Sequence, residues 1–164
     1  MPFFSFVLVA KWRMLFCLLV LLESNPTIAQ VRPQRVTRLH VTETQLLSQR
    51  RFTVTSDSLL VQLHGLGPAT DTLFRRALTL LERNRLLAAL DHTYLSAIRP
   101  DYTCSSTSSC PILFEMLIQK GDQQKRTTIT DCKVSFLYAF AHEVNALVPS
   151  AYQSDYTDGY LKSR

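Results

Sequence analysis

Residues 110–148, CPILFEMLIQKGDQQKRTTITDCKVSFLYAFAHEVNALV, hold the pattern that decides the fold. Apolar residues recur at every second position from Ile112 to Ile118, Gly121-Asp122 interrupts the run, and a threonine-rich stretch follows. Alternation at period two broken by a Gly-Asp pair predicts a β-hairpin. A two-residue turn with glycine first pairs position 120 with 123 and 114 with 129. In that register Ile112, Phe114, Met116, Ile118, Thr127 and Ile129 share one face, and Glu115, Gln119 and Thr128 take the other. The spacing beyond predicts a helix, capped by Asp131, running to about Val148 where Pro149 stops it. At 100° per residue, Val134, Phe136, Leu137, Phe140, Ala141, Val144, Leu147 and Val148 gather in one broad sector. Ser135, Tyr138, His142 and Asn145 lie on the opposite side.

Working outward, Val36 to Thr42 alternates with β-branched residues and reads as a strand. Residues 51–55 and 59–64 read as two more, joined by the polar loop Ser56-Asp57-Ser58. Gly65 to Pro68 closes this region, and Thr70 or Asp71 is placed to cap a helix. That helix is read from Leu73, on a stripe of positions 73, 74, 77, 78, 80 and 81. Asn84 falls inside the stripe, which favours a bend there with a restart at Leu86. His92 to Ser109 is the longest irregular stretch. The fold class is therefore α+β: a small antiparallel sheet packed against two amphipathic helices, preceded by a signal peptide.

The domain reading is a signal peptide over 1–29, a leader over 30–34, a single α+β domain over 35–149 and a polar tail over 150–164. Lys11 and Arg13 flank the apolar run Met14 to Leu22, and Thr27 and Ala29 are the small residues a signal peptidase reads. Cleavage near Ala29 makes the chain exported, periplasmic or extracellular. Retention of the segment makes it a membrane anchor instead, although Lys11 and Arg13 split the apolar stretch that a span needs.

Three cysteines survive such cleavage. Export favours oxidation, and the hairpin register sets Cys110 and Cys132 on opposite faces. The reading is thus a disulfide between Cys104 and Cys110, pinning the Ser-rich loop, with Cys132 as a free thiol. A zinc site from these cysteines with His92 or His142 has the spacing of no common knuckle. A Cys132 nucleophile activated by His142 lacks a third, orienting group.

The net charge is +5, from 18 Lys+Arg against 13 Asp+Glu, and it is spread rather than striped. Without interleaved aromatics it reads as a solvated surface and not a nucleic-acid groove. His142-Glu143 begins like a zincin helix, but position 146 is alanine. No nucleotide loop, nucleophile elbow or cofactor motif is present, so no cofactor is expected. Tyr138, His142 and Asn145 form the candidate contact surface.

The order strands, helix, hairpin, helix is similar to the layout of small secreted protease-inhibitor domains of the emfourin kind. That likeness implies an inhibitor-like role. The expected function is a small exported, non-catalytic binding module whose partner is a protein or envelope component. A membrane contact follows only if the N-terminal segment stays attached. The alternatives are an envelope-anchored structural protein and an enzyme with dispersed catalytic residues.

Overall fold

Gly121-Asp122 makes the tight turn its sequence calls for. In the computed structural model Gly121 has a φ of 55°, in the left-handed region where glycine carries no side-chain penalty. Lys120 pairs with Gln123 and Phe114 with Ile129, the register read from the sequence. The structure describes residues 34–65, 72–104 and 111–162, all within one compact unit, Pro33–Arg164. The expected signal peptide, leader residues 30–33, the loop 105–109 and Cys110 lie outside the described residues.

Seven strands form one sheet: β1 (Val36–Gln45), β2 (Ser48–Val54), β3 (Ser58–Gly65), β4 (Thr72–Ala77), β5 (Asp101–Thr103), β6 (Ile112–Lys120) and β7 (Gln123–Thr130). Their order is β4-β3-β2-β1-β6-β7-β5. Every neighbouring pair is antiparallel except β5 with β7, which run parallel. Among the described residues are also the α-helices α1 (Leu80–Asp91), α2 (Ser135–Leu147) and the short α3 (Asp158–Lys162), with 3-10 turns at Leu95–Ala97 and Ser150–Tyr152.

Alternation in the strands builds one core face. Leu39, Val41, Phe52, Val54, Leu59, Val61, Ile112, Phe114, Met116, Ile118 and Ile129 are all buried. Against them α2 sets the sector read from the sequence, with Phe136, Leu137, Phe140, Ala141 and Val144 buried. Phe52 meets Phe140 edge to face at 6.0 Å between ring centres. Each such ring removed from water contributes on the order of 2 kcal/mol. α1 adds Leu86, Leu87 and Leu90. Its C-terminus is held by the buried Lys120, whose ammonium donates to the carbonyls of Leu90 at 2.6 Å and Thr93 at 2.7 Å. A cation at that end complements the helix dipole.

The expectation of a small antiparallel sheet against two amphipathic helices is overturned. The domain is mostly sheet, and the sheet is mixed. Two segments account for the difference. Thr72–Ala77, read as the start of a helix, is the edge strand β4, pairing Phe74 with Val61 and Arg76 with Leu59. Phe74 then packs on Tyr152, and Arg76 donates to the Leu147 carbonyl and pairs with Glu82. The helix begins only after Thr79, which accepts from the Glu82 amide while Glu82 accepts from the Thr79 amide. This reciprocal capping box fixes the start, so Leu80 and Leu81 fall in an exposed first turn. α1 then runs unbroken through Asn84, without the expected bend.

The second segment is β5, three residues within the stretch read as irregular. It places Cys104 directly after Thr103, which pairs with Thr130, and Cys132 follows β7. The disulfide is accordingly Cys104–Cys132, across Cα atoms 5.1 Å apart. This corrects both the Cys104–Cys110 pairing and the free thiol at Cys132. The opposite-face argument separated Cys110 from Cys132 but ignored a parallel strand too short to leave a sequence signal.

Asp131 does not cap α2. It has a φ of 53° and its carboxylate accepts from the Ile112 amide and the Tyr160 hydroxyl. The Val134 amide instead donates to the Tyr156 hydroxyl at 2.9 Å, and that hydroxyl donates to the Cys132 carbonyl. Residues read as a polar tail thus fold back on the sheet, where buried Tyr156 lies 5.0 Å from Phe114.

Candidate functional site

The three residues singled out on α2 have different fates. The Tyr138 hydroxyl donates to Asp158 at 2.7 Å, and Lys133 sits 4.8 Å over its ring. The hydrogen bond to the Asp158 carboxylate raises the phenol above its ordinary value. Asn145 is half-buried and fully engaged: its amide donates to the Ser154 carbonyl and its oxygen accepts from the Ser154 amide. His142 stays exposed, 3.6 Å from Glu143. Tyr138 and His142 rim a shallow groove between α1 and α2, floored by Ala88, Ala89 and Ala139. Asn145 holds the C-terminal segment and does not share in that surface.

Cysteine chemistry is closed at two of the three positions, because Cys104 and Cys132 are bonded to each other. A zinc site using both, or a nucleophile at Cys132, is thereby removed. Among the described residues no group of three ligating side chains converges.

A different surface emerges from the strand parity. Both helices pack on the Leu39 face, so residues of opposite parity form a second face with no described element over it. Across β2, β1, β6 and β7 the register aligns Arg51, Thr42, Glu115 and Thr128 in one row. Thr53, His40, Leu117 and Arg126 form the next. Apart from Thr128, these two rows line a depression of about 350 Å³ together with Met116 and with Gln62 of β3. Arg38 and Arg75 lie on the same face.

The electrostatics of this depression are distinctive. Arg51, Arg126 and Glu115 are exposed. Three strand spacings and the two-residue offset between the rows set the two arginines roughly 16 Å apart at the backbone. His40 accepts or donates at Nδ1 to the Thr53 hydroxyl at 3.0 Å. Burial, then the positive charges of Arg38 and Arg51, push its imidazole below the ordinary 6.5. Asp101, on the edge strand β5, is engaged by the Thr128 and Thr103 hydroxyls.

The other polar cluster faces inward. Glu43 on β1 is buried, accepting from Arg50 at 2.9 Å, Ser154 Oγ at 2.7 Å and the Asp155 amide at 3.0 Å. Arg50 also reaches Asp155 at 2.8 Å. With every donor supplied by the chain itself, this cluster fastens the C-terminal segment to the sheet.

Sequence reasoning placed Glu115, Gln119 and Thr128 on the second face but missed His40, Arg51 and Arg126. The signal was present: VTRLHVT and QRRFTV alternate, and their polar parity belongs to the face opposite Leu39 and Phe52. Among the described residues there is a disulfide, and no helix is long and apolar enough to cross a membrane. No family model, curated protein or solved structure matches this chain.

Proposed function

We propose that the chain is a small exported, non-catalytic binding module whose recognition surface is the second face of the sheet. Export follows from the signal-like residues 1–29, with cleavage near Ala29 releasing the domain to a periplasmic or extracellular compartment. The disulfide is in keeping with an oxidising location. The observation that carries the reading is the depression bounded by Arg51 and Arg126, two exposed arginines on a broad face with no described element over it. Arginine is enriched where proteins recognise partners, because its planar fork binds with geometric specificity.

The test compares partner capture by three forms of the exported protein: wild type, the double variant Arg51→Glu with Arg126→Glu, and Ala139→Arg in the helix groove. A partner retained by wild type and the groove variant, and lost by the face variant, supports the sheet surface. Retention by the face variant rejects it.

A further inference from the structure

We propose that the depression on the second face is a docking site for an acidic stretch of a protein partner. The inference rests on the reading of that face as the recognition surface and gives the partner its chemistry. Arg51 and Arg126 against Glu115 leave one net positive charge in the lining while His40 is neutral. Arg38 beside His40 adds to the field, as its effect on the imidazole shows. A volume of about 350 Å³ lies at the floor of the range for small-ligand sites, and this one is shallow and open on a wide strand surface. It suits one or two side chains presented by a macromolecule. Carboxylates are the side chains that arginine forks bind in bidentate fashion. Two arginines about 16 Å apart match acidic residues spaced along an extended segment better than a single compact anion.

His40 makes this docking proton-linked. The groups facing it are Thr53 and Arg51 from β2, Gln62 from β3, Leu117 and Glu115 from β6, Arg126 from β7, and Arg38 and Thr42 on its own strand. Burial, then the charges of Arg38 and Arg51, disfavour its imidazolium in the free protein. An arriving carboxylate offsets the arginine charges and favours the imidazolium, so binding takes up a proton and strengthens on acidification, by at most about tenfold per pH unit. Glu115 opposes the ligand, and its neutralisation strengthens binding at every pH.

The experiment titrates the exported protein with an acetylated, amidated tetraglutamate peptide while amide shifts are followed by NMR. Tetraglutamine, tetralysine and inorganic phosphate serve as comparison probes. Tetraglutamate moves the amides of His40, Arg51, Glu115 and Arg126, and binds more tightly at about pH 6 than at about pH 8. His40→Asn keeps binding but flattens that pH dependence, and Glu115→Gln tightens the complex. Arg51→Glu with Arg126→Glu weakens it about tenfold or more, with an unchanged amide spectrum elsewhere showing that the fold survives.

No tetraglutamate binding, equal binding of tetraglutamine, or shifts confined to the helix groove overturns the proposal. So does phosphate displacing the peptide at matched concentration, which assigns the depression to small anions. If the face variant loses its captured partner while tetraglutamate does not bind, this inference fails alone. If the face variant keeps its partner, the recognition surface fails with it.

Discussion

The Ser154 hydroxyl donates to the buried carboxylate of Glu43 at 2.7 Å, joining residues 111 positions apart in the chain. Through this bond, and those from Arg50 and the Asp155 amide, the first strand holds the last segment in place. Removing the carboxylate while leaving its donors buried is costly, so Glu43→Ala destabilises the domain by about 3 kcal/mol. Denaturant unfolding measures that loss. Amide exchange at Asp155 and Tyr156 rises before exchange in β1, and an unchanged C-terminal segment would falsify the clasp.

Burial pushes the Glu43 carboxyl above its ordinary 4.5, more than Ser154, Arg50 and the Asp155 amide pull it down. A carboxyl raised in the folded state favours folding while it is protonated. Its contribution is complete below 4.5 and is lost as pH climbs through the raised value. Glu43→Gln removes this dependence. The unfolding free energy of wild type relative to the variant therefore falls as pH rises through the acid range, and parallel profiles contradict the assignment.

Cys104 and Cys132 close a loop with a sequence separation of 28. Loop-closure entropy for that length gives about 3.5 kcal/mol, so Cys104→Ser or Cys132→Ser lowers stability by that order. β5, held by only three paired residues, loosens first. A peptide map of the unreduced protein joins the fragments carrying these two residues, and a link from Cys132 to Cys110 excludes the pairing.

The hairpin between β1 and β2 turns through Leu46 and Leu47. Leu46 has a φ of 41° and is 71% exposed. A leucine in the left-handed region is strained by about 1 kcal/mol, and its solvated side chain returns little. Leu46→Gly relieves the strain and raises the midpoint of thermal unfolding. A lowered midpoint means that the leucine makes a stabilising contact.

How much of this was legible depended on the length of each repeating pattern. The β6–β7 hairpin and the α2 core sector carry eight or more residues of consistent period, and their register and burial follow from the sequence alone. β4 failed because Leu73, Phe74, Ala77 and Leu78 satisfy a helical stripe as well as an edge strand. The deciding feature, Thr79-x-x-Glu82, is a capping box that marks the helix start. β5 is too short to show a period, and the disulfide error followed from missing it. The basic depression was hidden for another reason: Arg51 and Arg126 are 75 residues apart and meet only through the order β2-β1-β6-β7, which no local pattern encodes.

Asn145 offers the sharpest distinction between a contact residue and a structural one. On the helical wheel it belongs with His142, and a solvated ridge residue tolerates alanine within about 0.5 kcal/mol. In the fold its side chain makes two bonds to the Ser154 backbone, at 2.9 and 2.7 Å, and its carbonyl accepts from Gln153 Nε2 at 2.9 Å. Only the first two depend on the amide. Asn145→Ala removes both and leaves a half-buried backbone pair short of partners, which costs about 2 kcal/mol. His142→Ala, at an exposed position with one weak contact to Glu143, leaves stability unchanged. Measuring the two variants side by side separates the readings: equal stability returns Asn145 to the surface ridge. A deficit confined to Asn145→Ala, with faster amide exchange at Ser154, places it beside Glu43 as the second fastening of the C-terminal segment.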